Sequence, residues 1–263
     1  MLPTGKQLAE KGFEVAKDLI PQNLIRDLKQ AAENSFFNLE KYSTVRLSTN
    51  QTSVAHHVLN QSNCYLSLLH TLVTIVRDTQ YFDSKFILDT FVIVNAVKDS
   101  GNSYTQDWHI DSRRLPKWLN DHPKGKNLLL NLLVPLTQFK EETGATQYIE
   151  NSHQISLTSN TQIENSSLKT MTGNPGDVFL FNSNLIHRAG KNSSPIPRTA
   201  IAIMFIVPWL KQQYDYASHW NEEKFVEKWG NEMGTVVGFG SQMPSSLDEW
   251  YQPTEKRKNR GYK

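Results

Sequence analysis

The stretch 176-GDVFLFNSNLIHRAGKNSSPIPRTAIAIMFIV-207 decides the fold. Gly176-Asp177 reads as a turn, and 178–181 is a short apolar run of strand length. A polar loop then delivers His187 just before the bend at Ala189-Gly190. After Pro195 and Pro197, Arg198 opens a second apolar run, 199–207. An arginine at the head of a buried strand calls for an anionic partner, because an unpaired buried charge is costly. Without a ligand set to accompany His187, the favoured reading of Arg198 is a rim arginine paired to an Asp or Glu.

Runs of the same kind precede it. They are 86-FILDTFVIVNAV-97, 104-YTQDWHI-110, 127-NLLLNLLVPL-136 and 145-ATQYIE-150, separated by Asp-Ser-Gly, Glu-Thr-Gly and Gly-Asn-Pro-Gly. Short β-branched and aromatic segments between Gly/Pro turns point to a sandwich or barrel, and a jelly roll suits this length. Helical spacing appears before them, at Leu24, Leu28 and Ala31 in 21–37, and at Leu66, Leu69, Val73 and Val76 in 62–82. The expected architecture is mainly β with added helices. One domain would span 1–263, with a helical N-terminal region over 1–85, a β core over 86–208 and a helical or loop region over 209–263.

With 263 residues, 38% hydrophobic and 21% charged, the chain has the composition of a globular protein rather than a disordered one. Lys plus Arg is 28 against 26 Asp plus Glu, a net charge of +2, which argues against a nucleic-acid partner. One cysteine, Cys64, excludes an intramolecular disulfide and any multi-cysteine metal site. No run approaches the ~20 apolar residues of a membrane span, and the N-terminal sequence is not that of a secretory signal, so the expected location is the cytoplasm.

Chemistry enters at 107-DWHIDS-112. If this segment is a strand, His109 and Asp111 point to the same side, since residues two apart share a face. Such a pair alone also fits an exposed strand end. Joined by His187, 78 residues further on, it supplies two imidazoles and one carboxylate, the facial ligand set of non-haem Fe(II) oxygenases. Arg198, 11 residues past His187, lies far enough along to sit on a neighbouring strand. There it would offer a guanidinium fork to the far carboxylate of an iron-chelating keto acid.

These motifs, in this order, resemble the phytanoyl-CoA dioxygenase-like family of Fe(II)/2-oxoglutarate-dependent oxygenases. The resemblance runs over about residues 12–209. It includes 12-GFEVAKDLIPQNLIRDL-28 as a strand running into a helix, and the HxD motif at 107–112. It continues through 131-NLLVPLTQFKEETGATQYIENSHQ-154 and 176-GDVFLFNSNLIHRAGKNSS-194. The chain departs from the family at Glu150-Asn151, where Pro-Gly is usual, and at Leu133, near a position where many members carry tryptophan. The resemblance implies a double-stranded β-helix of the cupin-like type. Fe(II) would be held by His109, Asp111 and His187, 2-oxoglutarate by Arg198, and O2 would be the oxidant. The expected activity is hydroxylation of an unactivated C–H bond of a small molecule, with release of succinate and CO2. Retention of Asp111 argues against halogenation, which needs a small residue there.

Gln106, Asn95 and Asn131, polar amides beside or within apolar strands, are candidates for further cosubstrate contacts, although ordinary core hydrogen bonding is the larger share of such cases. Arg113 and Arg114 follow the HxD pair and would meet an anionic group on the substrate, or else form a solvated rim. Two other activities stay open: a non-oxidative cupin-like metal or ligand-binding barrel, and an oxygenase acting on a protein side chain. Arg198 weighs against the first. The sequence does not name the substrate or the oligomeric state.

Overall fold

Alternating side chains build the core of the molecule, and their phase separates a helix-covered face from a cavity. The computed structural model describes residues 2–39, 52–83, 85–98, 107–116, 127–155, 168–253 and 256. Its helices are α1 (Lys6–Lys11), α2 (Gln22–Leu39), α3 (Asn63–Asp78), α4 (Glu222–Val237) and the short α5 (Leu247–Trp250). Its strands are β1 (Phe13–Ala16), β2 (Thr52–His56), β3 (Ile87–Ala96), β4 (Leu129–Pro135), β5 (Gln147–Ile149), β6 (Leu168–Thr170), β7 (Val178–Asn182), β8 (His187–Arg188) and β9 (Arg198–Ile206). Among the described residues no helix is long and apolar enough to cross a membrane.

A six-stranded antiparallel sheet runs β1-β7-β4-β9-β3-β2, and a three-stranded one runs β6-β5-β8. On the large sheet, Phe91 and Ile93 of β3, Ile201, Ile203 and Phe205 of β9, and Leu130, Leu132 and Val134 of β4 face the helices. There they pack with Ile25 and Leu28 of α2, Leu69 and Val73 of α3, and Phe225 and Val236 of α4. The residues between them, Thr90, Val92, Val94, Asn131, Leu133, Arg198, Ala200, Ala202 and Met204, line a cavity. This two-residue period puts apolar bulk behind the sheet and smaller or polar groups inside it.

The strands expected from β-branched composition are present, with bounds shifted by a residue or two. β1 lies where 12–28 was expected to run from a strand into a helix, whereas β2 and β6 were not anticipated. β1 and β2 form the two edges of the large sheet, and β2 comes from the segment expected to be mainly helical, 1–85. β6 completes the small sheet. β2 and β6 are five and three residues long with one large apolar side chain each, too little periodicity to register alone. The segment expected as strand 104–110 is also different. Within its described residues, only His109 pairs, in a bridge to His187, and the backbone enters a 3-10 turn at Asp111–Arg114.

Candidate active site

His109 and His187 are brought together by backbone pairing. Each donates its amide to the other's carbonyl at 3.0 Å, so the single bridge extends the small sheet beyond β8. Their rings lie 4.4 Å apart, centroid to centroid. Both use the same local device for orientation: Nδ1 of His109 bonds to the Asp107 carbonyl, and Nδ1 of His187 to the Leu185 carbonyl, each at 2.9 Å. A carbonyl only accepts, so each Nδ1 carries the proton and each Nε2 keeps its lone pair for the cavity. Burial, together with the neighbouring His187, lowers the His109 pKa and favours the neutral ring.

Asp111 reaches the same point from outside a strand. Its amide donates to the Ser183 carbonyl at 2.9 Å, as does the Ser112 amide at 3.2 Å, and Ser112 Oγ donates to Asn184 Oδ1. The Asn-Ser-Asn turn after β7 thus holds the start of the 3-10 turn. Asp111 Oδ1 lies 3.7 Å from His109 Nε2, and Oδ2 lies 3.4 Å from His187 Nε2. One ligand atom from each of the three residues falls within 4.8 Å of the other two, a group that could hold a metal ion. Asn131 Nδ2 donates to Asp111 Oδ2 at 2.8 Å, so this amide orients the carboxylate from the cavity wall.

Turns around the site are built for the close approach of backbones. Ser152 Oγ accepts from the Ile186 amide at 2.8 Å, which pins the residue before His187. Asn151, where the family usually has glycine, sits in the left-handed region at φ 66°, and Asn is among the side chains that tolerate it. The Glu150-Asn151 departure therefore preserves the turn. At Gly190, a Cβ would lie 2.3 Å from the Ala145 carbonyl oxygen, which explains the glycine behind His187.

Arg198 opens β9 inside the same cavity, of about 450 Å³. It is only 5% exposed, its Nε has no hydrogen-bond partner, and among the described residues no carboxylate forms an ion pair with it. Its guanidinium lies 5.1 Å from the centre of the Phe139 ring, which offsets some of the cost of burial. Burial pushes its pKa down to about 10, so it stays charged at neutral pH.

The remaining sequence candidates divide. Asn131 lies in the cavity wall, but its described contact is with Asp111. Asn95 is one residue out of phase with the cavity-lining Val94; its Oδ1 accepts from Thr199 Oγ1 at 3.0 Å, and it does not line the cavity. Arg113 is exposed and is not among the residues lining the cavity. Gln106 and the Arg114 side chain lie outside the described residues, as does most of the expected mouth loop 112–126. Leu133 lines the cavity opposite Ala202. Sequence reading passed over Val54 and His56 of β2, which complete the wall. The one available signal was their i, i+2 spacing beside the small Ala55.

Similarity to known proteins bears on the family and the fold. An uncharacterized protein of Mycobacterium tuberculosis, Rv1501, is 29% identical over 178 residues, covering 67% of this chain and 60% of that protein. The chain thus matches under two thirds of that relative's length. The dioxygenase easH of Epichloe festucae var. lolii is 29% identical over 127 residues, 47% of this chain and 66% of that protein. Among solved structures, the non-heme alpha ketoglutarate dependent epimerase SnoN from nogalamycin biosynthesis superposes with a TM-score of 0.59 at 12% identity. That match covers 77% of this chain and 81% of SnoN, and it supports the jelly-roll architecture. The Phytanoyl-CoA dioxygenase profile matches residues 8–200, and the chain belongs to the phytanoyl-CoA dioxygenase family.

Proposed function

We propose that the protein is an Fe(II)/2-oxoglutarate-dependent oxygenase that hydroxylates a C–H bond of a small molecule. The observation that carries this reading is Arg198: a buried, charged guanidinium without a carboxylate partner among the described residues, facing the same cavity as a His-Asp-His ligand set. Members of the family use Fe(II) and 2-oxoglutarate. The residues fit both. Two imidazoles and a carboxylate suit Fe(II) while leaving open positions. A guanidinium fork suits the distal carboxylate of the keto acid. A non-oxidative metal-binding barrel has no use for that arginine.

When bound, iron with 2-oxoglutarate and O2 supplies the oxidising power for C–H chemistry. The chain's own residues bind and orient. His109 and His187 present Nε2 lone pairs because their Nδ1 protons are committed to carbonyls. Asn131 holds the Asp111 carboxylate. Arg198 fixes one end of the cosubstrate, and Leu133, Ala200 and Ala202 line the cavity with apolar surface. Val54, Val92 and Val94 add further apolar lining to the cavity. Hydroxylation is the outcome we favour for a chain that retains Asp111, and SnoN, described as an epimerase, marks the other chemistry to be tested.

The test begins with anaerobic titration of Fe(II), followed by 2-oxoglutarate, into the full chain. A metabolite library is then screened for substrate-dependent succinate release with O2 and ascorbate. Failure to bind Fe(II) and 2-oxoglutarate together would remove this function. Arg113 is proposed to contact an anionic group on the substrate; unchanged KM and kcat in Arg113→Met with the identified substrate would remove that contact.

A further inference from the structure

Behind the two histidines runs a second row of side chains that the proposed chemistry does not use. The bridge pairs His109 with His187, so the antiparallel register sets Trp108 directly opposite Arg188. On the other side of β8, Arg188 pairs with Gln147 and His187 with Tyr148. The row Gln147–Arg188–Trp108 therefore lies one step along from the row Tyr148–His187–His109. Alternation turns it to the face away from the cavity; His109, His187 and Ala189 line that cavity, whereas Trp108, Gln147 and Arg188 do not. The members of the outer row touch. The Arg188 guanidinium carbon lies 4.2 Å from the centre of the Trp108 ring, and Arg188 Nε donates to Gln147 Oε1 at 2.9 Å.

We propose that Arg188 and Trp108 form a latch on the outer face of the small sheet that sets the spacing of His109 and His187 for metal binding. The inference rests on the metal-site reading above. His109 belongs to no regular strand: among the described residues a single bridge pairs its segment with β8, and its next anchor is Asp111 at Ser183. Stacking Arg188 on Trp108 adds a second cross-strand tie at the neighbouring position. Gln147 fixes the plane of the guanidinium, so the tie has a defined geometry. The Asp111 side of the motif is held by backbone and by Asn131; the His109 side is held by its backbone bonds to His187, and this pair adds a side-chain tie beside them. Arg188 and Trp108 are positioning residues, and neither reaches the cavity.

The experiment measures Co(II) affinity of the full chain by visible absorption in wild type, Trp108→Ala, Trp108→Phe, Arg188→Met, Arg188→Lys and the Trp108→Ala/Arg188→Met double variant, with Tm of each metal-free protein recorded alongside. An exposed to partly shielded cation–π contact corresponds to roughly a two- to tenfold change in affinity. Each truncation should weaken Co(II) by about that factor, and the double variant by little more than either single one. Trp108→Phe should recover most of the affinity, and Arg188→Lys some of it. Wild-type affinity in both truncations, or effects that multiply in the double variant, would overturn the latch while leaving the metal site standing. A lower Tm with unchanged Co(II) affinity would also overturn it, since the pair would then be merely structural. If a truncation does not fold, Arg188→Lys decides, since lysine keeps the charge but loses the planar stack on Trp108 and the Nε bond to Gln147; wild-type affinity in Arg188→Lys overturns the proposal. Absence of Co(II) binding in wild type would overturn the metal reading and the latch with it.

Discussion

Arg198→Met tests the reading of the cavity through two effects of opposite sign. In the ligand-free protein the guanidinium is 5% exposed, with its Nε unpaired and, among the described residues, the Phe139 ring against its charge and no carboxylate in an ion pair with it. Its fall to a pKa of about 10 means that the charged form is disfavoured by folding, by roughly 3 kcal/mol at about 1.4 kcal/mol per tenfold change. Because the folded pKa lies below the unfolded one, this penalty is present throughout the pH range below about 10 and is relieved only above it. Methionine retains apolar bulk and removes the charge. The ligand-free variant should therefore be as stable as wild type or more stable, by about 1–3 kcal/mol, roughly 2–10 °C in Tm for a chain of this size. Its affinity for 2-oxoglutarate should fall by about ten- to a thousandfold, the range for losing a shielded, charge-assisted pair. Differential scanning fluorimetry with Fe(II), with and without 2-oxoglutarate under anaerobic conditions, reads both effects. A ligand-induced rise in Tm equal to that of wild type would refute the assignment of Arg198. A ligand-free variant several degrees less stable would refute the claim that the charge is uncompensated.

Asn131→Leu removes the donor to Asp111 Oδ2 while keeping the side chain's size, and metal affinity should fall by about ten- to a hundredfold, as measured by Co(II) titration. Circular dichroism should show an unchanged fold, and unaltered affinity would mean that Asp111 is held by its backbone alone. His57 accounts for some of the acid sensitivity. Burial, with His56 beside it, lowers its pKa from 6.5 to about 4, and its Nδ1 lies 2.9 Å from the Tyr216 hydroxyl. Between those values the unfolded chain binds the proton and the folded one does not, so stability should fall as pH drops through this window. His57→Phe should flatten that dependence in urea melts at pH 7 and pH 5, and an unchanged slope would assign it elsewhere.

The sequence alone determined the β-rich core, the helices that cover it, and the identities of His109, Asp111, His187 and Arg198 as candidates. Those signals are local or depend on order along the chain: apolar runs of strand length, turn residues between them, and polar residues of unusual type beside them. The tertiary structure decided what depends on pairing. His109 and Asp111 converge without sharing a regular strand, because the turn at 182–185 holds one and the bridge to His187 holds the other. Asn131 and Asn95 look alike in sequence, as single amides in apolar strands, yet strand phase sends Asn131 to Asp111 and Asn95 to Thr199. β2 was illegible because five residues with one valine carry little pattern of their own; that strand exists because β3 offers it an edge. The opposition of Trp108 and Arg188 likewise follows from one inter-strand register, which is set by hydrogen bonds between segments almost eighty residues apart, and no local property of either segment encodes it.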